Sequence, residues 1–424
     1  MKKLTKTALL AIEMENIYSI KNRIRLDFRA ANLNSAQVKL LADNIFEWNG
    51  QKILKTIGLF GPNAAGKTNI IKSIMFFCRT ILDSHQYNVN RKFFDFVPFK
   101  FEGYEKKPTR FYINFVTNGI EYEYEYVLTR ESILSESLYY YPNHRRAKIF
   151  EKVNGGQYTF GTKVLMRPKE VADSLTSKNL YLSRAAAMNR EIAQTVYHFF
   201  LHEFMLDLFP LNGELLKLNF KEYKPLILKA MKICDSDIQD ITLKRRTTLQ
   251  PVQTIQPNGE LTLEVRPVEI VQFKTAHKQD PNVLFDMEEE ESEGTKRLFN
   301  IVTRLIDVIR HGKSLMLDEF DRQLHTHLAD FIIDLVHATP DSQLLFTSHN
   351  TNLMDMDRFR RDQIVYVNKR PDGSTEVYSL ADFKDFRETM DAEKGYLQGR
   401  FDAIPYVTSS SSVLKSFLND DINE

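Results

Sequence analysis

The sequence predicts an α/β fold, in which a mixed and parallel β-sheet is flanked by helices and carries an inserted, mainly helical subdomain. The first observation is an apolar, β-rich run that ends in glycine and proline at residues 61 and 62 and continues into a helix pattern. The second is the alternation of helix and strand patterns after residue 295, because parallel strands need covering helices between them. The third is a period-two alternation from residue 111 to 128, which is typical of a hairpin.

The N-terminal third predicts short strands, one long helix and the hairpin. Residues 8 to 28 alternate in short apolar and polar runs, and residues 53 to 60 are predicted as one buried strand. In the hairpin a turn at Asn118-Gly119 joins two strands, with three tyrosines on one face and three glutamates on the other. One hairpin face should therefore be buried and the other wet. The following side chains give the long helix one broad apolar face: Ile70, Ile71, Ile74, Met75, Cys78 and Leu82.

The C-terminal third predicts helices around residues 298 to 308 and 328 to 336, each followed by a strand. The strands are Ser314 to Leu317 and Leu344 to Thr347, and Asp372-Gly373 marks a further hairpin. Between the two thirds lie helical stretches around 170 to 235 and basic clusters. No heptad pattern runs through this middle region, so a long coiled-coil arm is not expected.

Composition restricts the class of protein. The 424 residues are 43% hydrophobic and 27% charged, as in ordinary globular proteins. Because 57 basic residues nearly balance 56 acidic ones, no bulk positive field attracts nucleic acid, and DNA contacts would need local patches. Cys78 and Cys234 cannot build a disulfide framework and are expected to be core thiols. No stretch reaches the roughly 20 apolar residues that cross a bilayer, so a cytoplasmic location is expected.

A complete phosphate-loop pattern lies between the first buried strand and the long helix. It reads Gly61, Pro62, Asn63, Ala64, Ala65, Gly66, Lys67 and Thr68, and it fits G-x-x-x-x-G-K-[ST]. Gly61 and Gly66 allow backbone N–H groups to turn toward phosphates at a helix N-terminus. Lys67 is expected to reach the β- and γ-phosphates of ATP, and Thr68 to ligate Mg²⁺. A plain glycine turn before a helix would not require this whole pattern.

Two later strand ends supply the remaining candidates for chemistry. Asp318 and Glu319 follow the strand at 314 to 317, where the first carboxylate can hold the Mg²⁺ shell and the second can orient or deprotonate water. His349 ends the next strand and can donate a hydrogen bond to a γ-phosphate. Acidic residues or a histidine at a strand end are common by themselves. They indicate a nucleotide site here because all are predicted at the same sheet edge as the phosphate loop. Asp321 would lie in a segment that reaches a neighbouring site.

Ser292, Gly294 and Thr295 precede the helix that ends near His311. With this element, the order of motifs resembles that of the ABC ATPases: phosphate loop, Ser-x-Gly signature, strand-Asp-Glu, strand-His. The resemblance implies that this signature completes the ATP site of a second copy, giving a head-to-head dimer. Ser292 could also be only a helix N-cap. The acidic run before it, Glu288 to Glu291, predicts a solvated lip near the helix N-terminus.

The wider motif set resembles the stand-alone AAA/ABC-type (SMC/OLD-like) ATPases of bacterial phage-defence systems, including RloA- and AbiL-like proteins and the ATPase of PARIS. The motifs that carry this resemblance include Gly61 to Asn69, Glu291 to Phe299, Leu317 to His325, Phe346 to Asn350, Arg361 to Val365 and Tyr396 to Pro405. The resemblance implies an ATPase of antiviral defence, of the abortive-infection or toxin–antitoxin kind. It would hold or activate a separate TOPRIM-like nuclease or toxin encoded nearby, in response to a phage trigger protein.

The same resemblance suggests a division of the chain. Residues 1–130 would be the N-terminal half of the ATPase head and 131–275 an inserted α/β subdomain. Residues 276–405 would be the C-terminal half of the head, and 406–424, with the Ser409 to Ser412 tract, a tail. No glutamine between the long helix and the hairpin fits a Q-loop, and the segment Phe96 to Phe101 occupies that region.

Other functions are compatible with parts of the pattern. A RecF/SMC-like DNA-repair ATPase would bind DNA through basic clusters such as Arg145-Arg146 and Lys244 to Arg246, although such clusters are more often solvated faces. A transporter subunit is less compatible, because the insertion between the two halves of the nucleotide site is large. Only about 75 residues follow His349, which is short for a TOPRIM nuclease domain. Asp355 and Asp357 are expected to lie in a loop.

Overall fold

A computed structural model of the chain describes residues 7–91, 93, 96–162, 164–206, 213–234, 237–255, 261–387 and 389–404. The strands are β1 (Ala8–Glu15), β2 (Ile24–Asp27), β3 (Ile45–Trp48), β4 (Gln51–Leu54), β5 (Thr56–Phe60), β6 (Thr109–Thr117), β7 (Ile120–Leu128), β8 (Ile133–Tyr140), β9 (Ala147–Lys152), β10 (Thr159–Phe160), β11 (Phe204–Leu206), β12 (Ile238–Ile255), β13 (Leu261–His277), β14 (Leu284–Asp286), β15 (Ser314–Leu317), β16 (Gln343–Thr347), β17 (Ile364–Lys369) and β18 (Thr375–Ser379). The α-helices are α1 (Ala36–Leu40), α2 (Lys67–Asp83), α3 (Pro168–Asp173), α4 (Tyr181–Ala187), α5 (Glu191–His198), α6 (Gly213–Ile233), α7 (Glu293–His311), α8 (Thr326–His337) and α9 (Ala392–Leu397).

One sheet is mostly parallel and carries the sequence motifs. Its order is β11-β15-β16-β5-β17-β18, and only β18 runs antiparallel to its neighbour. The strands β5, β15 and β16 are adjacent, and the strand residues are almost all buried, as expected when helices cover a parallel sheet. The motifs after these strands must therefore meet at one edge of the sheet.

A second sheet is antiparallel, with the order β10-β9-β8-β7-β6-β1-β2. The predicted hairpin is confirmed as β6 and β7, with the tyrosines buried and the glutamates at the wetter face. Helix α2 packs between the two sheets, because its apolar face shares one core with side chains from both. Phe77 of α2 stacks on Tyr126 with ring centroids 5.3 Å apart. This packing fixes the helix that begins at the phosphate loop.

The predicted α/β fold with a mixed and parallel sheet is confirmed, with two corrections to its elements. The single strand predicted over residues 53 to 60 is two strands, because Lys55 turns away between β4 and β5 and donates to the carbonyl oxygens of His337 and Thr339. The middle segment 131–275 contains the predicted helices, but it also contains β8 to β13 and is mixed rather than mainly helical. The proposed boundary at residue 130 falls within the antiparallel sheet.

The middle segment ends in a long β-ribbon. Strands β12 and β13 pair from Ile238 with His277 to Ile255 with Leu261, and the register shifts once, between Ile238 and Asp240. A separate apolar core joins the base of this ribbon and α6 to one face of α7. Both cysteines are buried and free, as expected. Among the helices of the described residues, none is long and apolar enough to cross a membrane. The predicted C-terminal tail, with Ser409 to Ser412, lies outside the described residues, as does Pro405.

Candidate functional site

The predicted phosphate loop is a tight turn between β5 and α2. Gly61 has a φ of 156°, Ala64 of 62° and Gly66 of 114°, and Gly66 is the N-cap of α2. A Cβ at Gly61 would lie 2.1 Å from the carbonyl oxygen of Val367, and one at Gly66 would lie 2.0 Å from Thr375 Oγ1. Only glycine fits at both positions. Pro62, Asn63 and Ala64 form the more exposed side of the loop, whereas Ala65 is buried.

Lys67 is buried beneath this loop, with 4% of its surface exposed. Its Nζ donates to the carbonyl oxygens of Gly61 at 2.7 Å and Pro62 at 3.1 Å. Burial lowers the pKa of Lys67 to about 8, and the nearby carboxylates of Asp318, Glu319 and Asp321 oppose this shift. An ammonium in this position needs a further anion to balance its lost hydration.

The two carboxylates after β15 are held by a residue that ends β16. Thr347 Oγ1 donates to Asp318 Oδ1 at 2.6 Å and accepts from the backbone N–H of Glu319 at 2.7 Å. Glu319 has a φ of 44°, a left-handed conformation that is uncommon for a residue with a side chain. The hydroxyl of Thr347 therefore fixes both the Asp318 carboxylate and the strained turn that presents Glu319.

His349 connects the lysine and the glutamate. Its Nδ1 lies 3.4 Å from Lys67 Nζ, and its Nε2 lies 3.9 Å from Glu319 Oε1. Burial and the adjacent Lys67 charge lower the pKa of His349, so the ring is neutral near pH 7. Because the ammonium can only donate, Nδ1 accepts and the ring proton lies on Nε2. His349 thus presents an N–H donor on the side of Glu319.

A second layer behind the loop contains residues from three separate parts of the chain. Ser19 Oγ accepts from Asn69 Nδ2 at 2.8 Å and lies 2.7 Å from Thr375 Oγ1, which donates to the carbonyl oxygen of Ala65 at 2.8 Å. Asn69 therefore supports the loop from α2. Thr68 precedes it as the second residue of α2 and is half-buried.

The predicted signature lies at the N-terminus of α7. Ser292 is the N-cap of this helix, and its Oγ accepts from the backbone N–H of Thr295 at 3.1 Å. Within one chain, the contacts of the Ser292 side chain are therefore those of a helix N-cap. A Cβ on Gly294 would lie 2.9 Å from the carbonyl oxygen of Gln323, so the helix start packs closely on the segment after Glu319. Among hydrogen bonds of the described residues, none joins the signature to its own phosphate loop.

One prediction around the site is wrong, and the structure shows where three other candidate aspartates lie. Glu291 is not part of a solvated lip, because its carboxylate accepts from His277 Nε2 at 2.9 Å, whereas Glu288 to Glu290 are exposed as expected. Asp321 accepts from Ser348 Oγ at 2.9 Å within the same chain. Asp355 and Asp357 lie in a loop, and no cluster of metal ligands occurs in the described part of the chain.

The site fits ATP with Mg²⁺. The phosphate loop, a buried ammonium, a neutral imidazole and two carboxylates converge where β5, β15 and β16 end. Phosphates would balance the lysine, and carboxylate and hydroxyl oxygens are ligands that Mg²⁺ prefers. Sequence patterns identified these residues but missed Thr347, Ser19 and Thr375, and also Arg297 of α7, whose side chain donates to the backbone carbonyl oxygen of Asp318 at 2.9 Å. Of these, only Thr347, at the end of a strand beside Asp318, carries a local signal.

The fold and the order of motifs define an ABC-type P-loop head. Within that class, the chain belongs to the family described as AAA domain, putative AbiEii toxin, Type IV TA system, whose model matches residues 57–181 and 219–355, more than half of the chain. No curated protein matches the chain.

Solved structures of SMC heads are similar to this chain at low identity. They include an SmcHead bound to the C-winged helix domain of ScpA (14% identity, 92% of this chain and 99% of that chain, TM-score 0.38). A second is the SMC head domain from Thermotoga maritima (12% identity, covering 88% of this chain and 98% of that chain, TM-score 0.37). A third is an Smc head domain with an extended coiled coil bound to the C-terminal domain of ScpA derived from Pyrococcus furiosus (13% identity, covering 93% of this chain and 99% of that chain, TM-score 0.39).

Proposed function

We propose that this chain binds and hydrolyses ATP with Mg²⁺, and that two copies associate head to head around the nucleotide. The observation that carries the proposal is the meeting of Lys67, His349 and Glu319 at one sheet edge, with 3.4 Å and 3.9 Å between successive groups. Lys67 would bind the β- and γ-phosphates, and the loop N–H groups would orient them. Thr68 and Asp318 would hold Mg²⁺, which supplies charge stabilisation when bound.

Glu319 is the best placed group to orient or deprotonate the attacking water. Thr347 fixes its backbone, and the His349 Nε2–H can donate to the transferred phosphoryl group. Ser292, Gly294 and Thr295 would bind the γ-phosphate of the partner's ATP through the N-terminus of α7. The exposed Ser292 supports this role, because its hydroxyl contacts only Thr295 among the described residues.

The biological role proposed is control of a separate toxic effector in antiviral defence. In this proposal the bound nucleotide determines whether copies of the ATPase associate, and their association controls the effector. The support is the family match, whose description includes a type IV toxin–antitoxin system. Direct action on DNA has weaker support at one of its basic clusters, because Arg146 pairs with Glu123 at 2.7 Å and covers the Tyr139 ring at 3.5 Å. An arginine that already pairs with a carboxylate and covers an aromatic ring is less available to bind the phosphates of DNA.

The test combines assembly with an effector assay. Unmutated protein, Lys67→Ala and Glu319→Gln are each co-expressed with the product of the neighbouring gene, purified by a tag on the ATPase and sized with and without MgATP. The proposal expects an ATP-dependent pair for Glu319→Gln, none for Lys67→Ala, and effector co-purification that changes between them. An ATPase that stays monomeric in all states, or binds duplex DNA with a steep salt dependence and no effector, would contradict it.

A further inference from the structure

The β12–β13 ribbon is joined to the helix that carries the signature. At its base, β14 adds a third strand beside Lys274 to Ala276. The ring of Phe273 in β13 lies 5.0 Å from that of Phe299 in α7, and Phe220 of α6 lies 5.1 Å from Phe273. Because the base of the ribbon and α7 share this core, they are expected to move together.

A polar contact adds to this packing at the start of α7. His277 is the last residue of β13, and its Nδ1 lies 2.8 Å from Asp237 Oδ1 while its Nε2 lies 2.9 Å from Glu291 Oε1. Thr275 Oγ1 donates to the same oxygen of Glu291. The Glu291 side chain is 8% exposed and that of His277 19%, so the contact is shielded from water.

The chemistry of this contact favours a charged histidine. Both ring nitrogens can donate only when the imidazole is protonated, and the two carboxylates hold the pKa of His277 above its usual value despite burial. Charge-assisted hydrogen bonds of this kind are shorter and stronger than neutral ones. Asp237 precedes β12 and Glu291 precedes Ser292, so one ring links both strands of the ribbon base to the signature.

We propose that His277 is a positioning residue, which through Glu291 fixes Ser292 against the ATP held by a second copy. The inference rests on the proposed head-to-head function. Among the described residues, the Ser292 hydroxyl hydrogen-bonds only to Thr295, and the Ser292 carbonyl oxygen accepts from Lys296, so both contacts lie within the first turn of α7. The peptide before Ser292 therefore sets where its hydroxyl and the start of α7 point. A ligand or partner that moves the ribbon base would then alter hydrolysis in the neighbouring subunit and not in its own.

The experiment uses mixed dimers of the full chain, purified through two different tags. The first chain carries Lys67→Ala, so ATP is bound only by the second chain and faces the signature of the first. Adding His277→Ala to the first chain should lower the rate of hydrolysis about tenfold or more, which corresponds to loss of one charge-assisted contact. The same substitution in the second chain should leave the rate within about twofold, because that chain's signature faces the inactive loop.

Control variants separate the possible failures. His198→Ala in the first chain replaces an exposed histidine on α5 and should have no effect. Ser292→Ala in the first chain tests the head-to-head arrangement itself, and if it has no effect, the proposed function fails. If Ser292→Ala lowers the rate and His277→Ala does not, only the positioning role fails.

Equal losses with His277→Ala in either chain would show a general structural defect and overturn the proposal. Glu291→Gln keeps the shape of the side chain and an acceptor oxygen while removing its charge. Glu291→Gln in the first chain should lower the rate of hydrolysis less than His277→Ala does, and in the second chain it should leave the rate nearly unchanged. A lower rate with the substitution in either chain would contradict the positioning role. Thermal unfolding of each variant checks that the fold is retained.

Discussion

Arg297 Nη2 donates a hydrogen bond to the backbone carbonyl oxygen of Asp318 at 2.9 Å and makes a longer one to that of Glu319 at 3.4 Å. Arg297 lies on α7, in the second turn after Ser292. The helix that begins at the signature therefore holds the backbone of the two carboxylates in the same chain. Arg297 thus acts on the carboxylates of its own chain, whereas Ser292 is proposed to act on the partner's ATP.

Replacement of Arg297 is the first prediction. Arg297→Lys keeps the charge but loses the planar donor geometry, and we expect kcat to fall roughly tenfold or more, while ATP affinity changes less than about threefold. Lys67 is instead held by the carbonyl oxygens of Gly61 and Pro62 in the phosphate loop, which is why binding should survive. Steady-state hydrolysis and titration with a fluorescent ATP analogue measure the two effects. Arg23→Ala, at an exposed surface arginine, is the control.

Glu319→Gln should bind ATP and block its hydrolysis. The amide keeps the shape but cannot accept the proton of water, and loss of a general base costs about 10²- to 10⁴-fold in rate. Because ATP then persists, the associated state should accumulate, which light scattering coupled to size-exclusion chromatography would show. Hydrolysis at the unmutated rate would mean that another group orients the water.

The pKa of Lys67 predicts a pH dependence of ATP binding. Burial lowers this pKa to about 8, whereas bound phosphates would raise it, so above pH 8 binding must be accompanied by proton uptake. Affinity should therefore fall as the pH rises through 8. Isothermal titration calorimetry at pH 8.5 in buffers of different ionisation enthalpy measures the protons taken up. A proton uptake of zero at that pH would contradict the predicted protonation change.

Local sequence signals predicted the parts of the site that have a fixed spacing. The phosphate loop, Asp318-Glu319 and His349 each follow a buried strand, and parallel strands bring such ends to one edge. The two predicted helices of the C-terminal third, each followed by a strand, are confirmed as α7 with β15 and α8 with β16. The same reasoning could not place Arg297, because its role depends on how α7 packs against the turn after β15.

Sequence patterns could not predict contacts between distant segments either, because these contacts also depend on how the elements pack. Ser19 and Thr375 are separated by more than 350 residues and meet behind Gly66 at 2.7 Å, and neither lies in a recognisable motif. The acidic run at 288 to 291 looked uniform, yet Glu291 is paired because β13 ends beside it. The β12–β13 ribbon was also missed, since its alternating residues lie in a region where helices dominate the pattern.

The glycine at position 66 gives a final prediction with a matched control. Gly66→Ala would place a Cβ 2.0 Å from Thr375 Oγ1, which donates to Ala65 and so cannot leave without releasing the loop. The loop must shift, and we expect ATP affinity to fall by roughly 100-fold or more, with a loss of about 1–3 kcal/mol in the free energy of unfolding. Gly119→Ala is the control: its φ of 73° is also positive, but no atom of a non-neighbouring residue lies within 4 Å of the added Cβ. Chemical denaturation should show both variants destabilised, and nucleotide titration should show a binding defect only for Gly66→Ala. Equal ATP affinity in the two variants would mean that the close contact with Thr375 does not shape the phosphate loop.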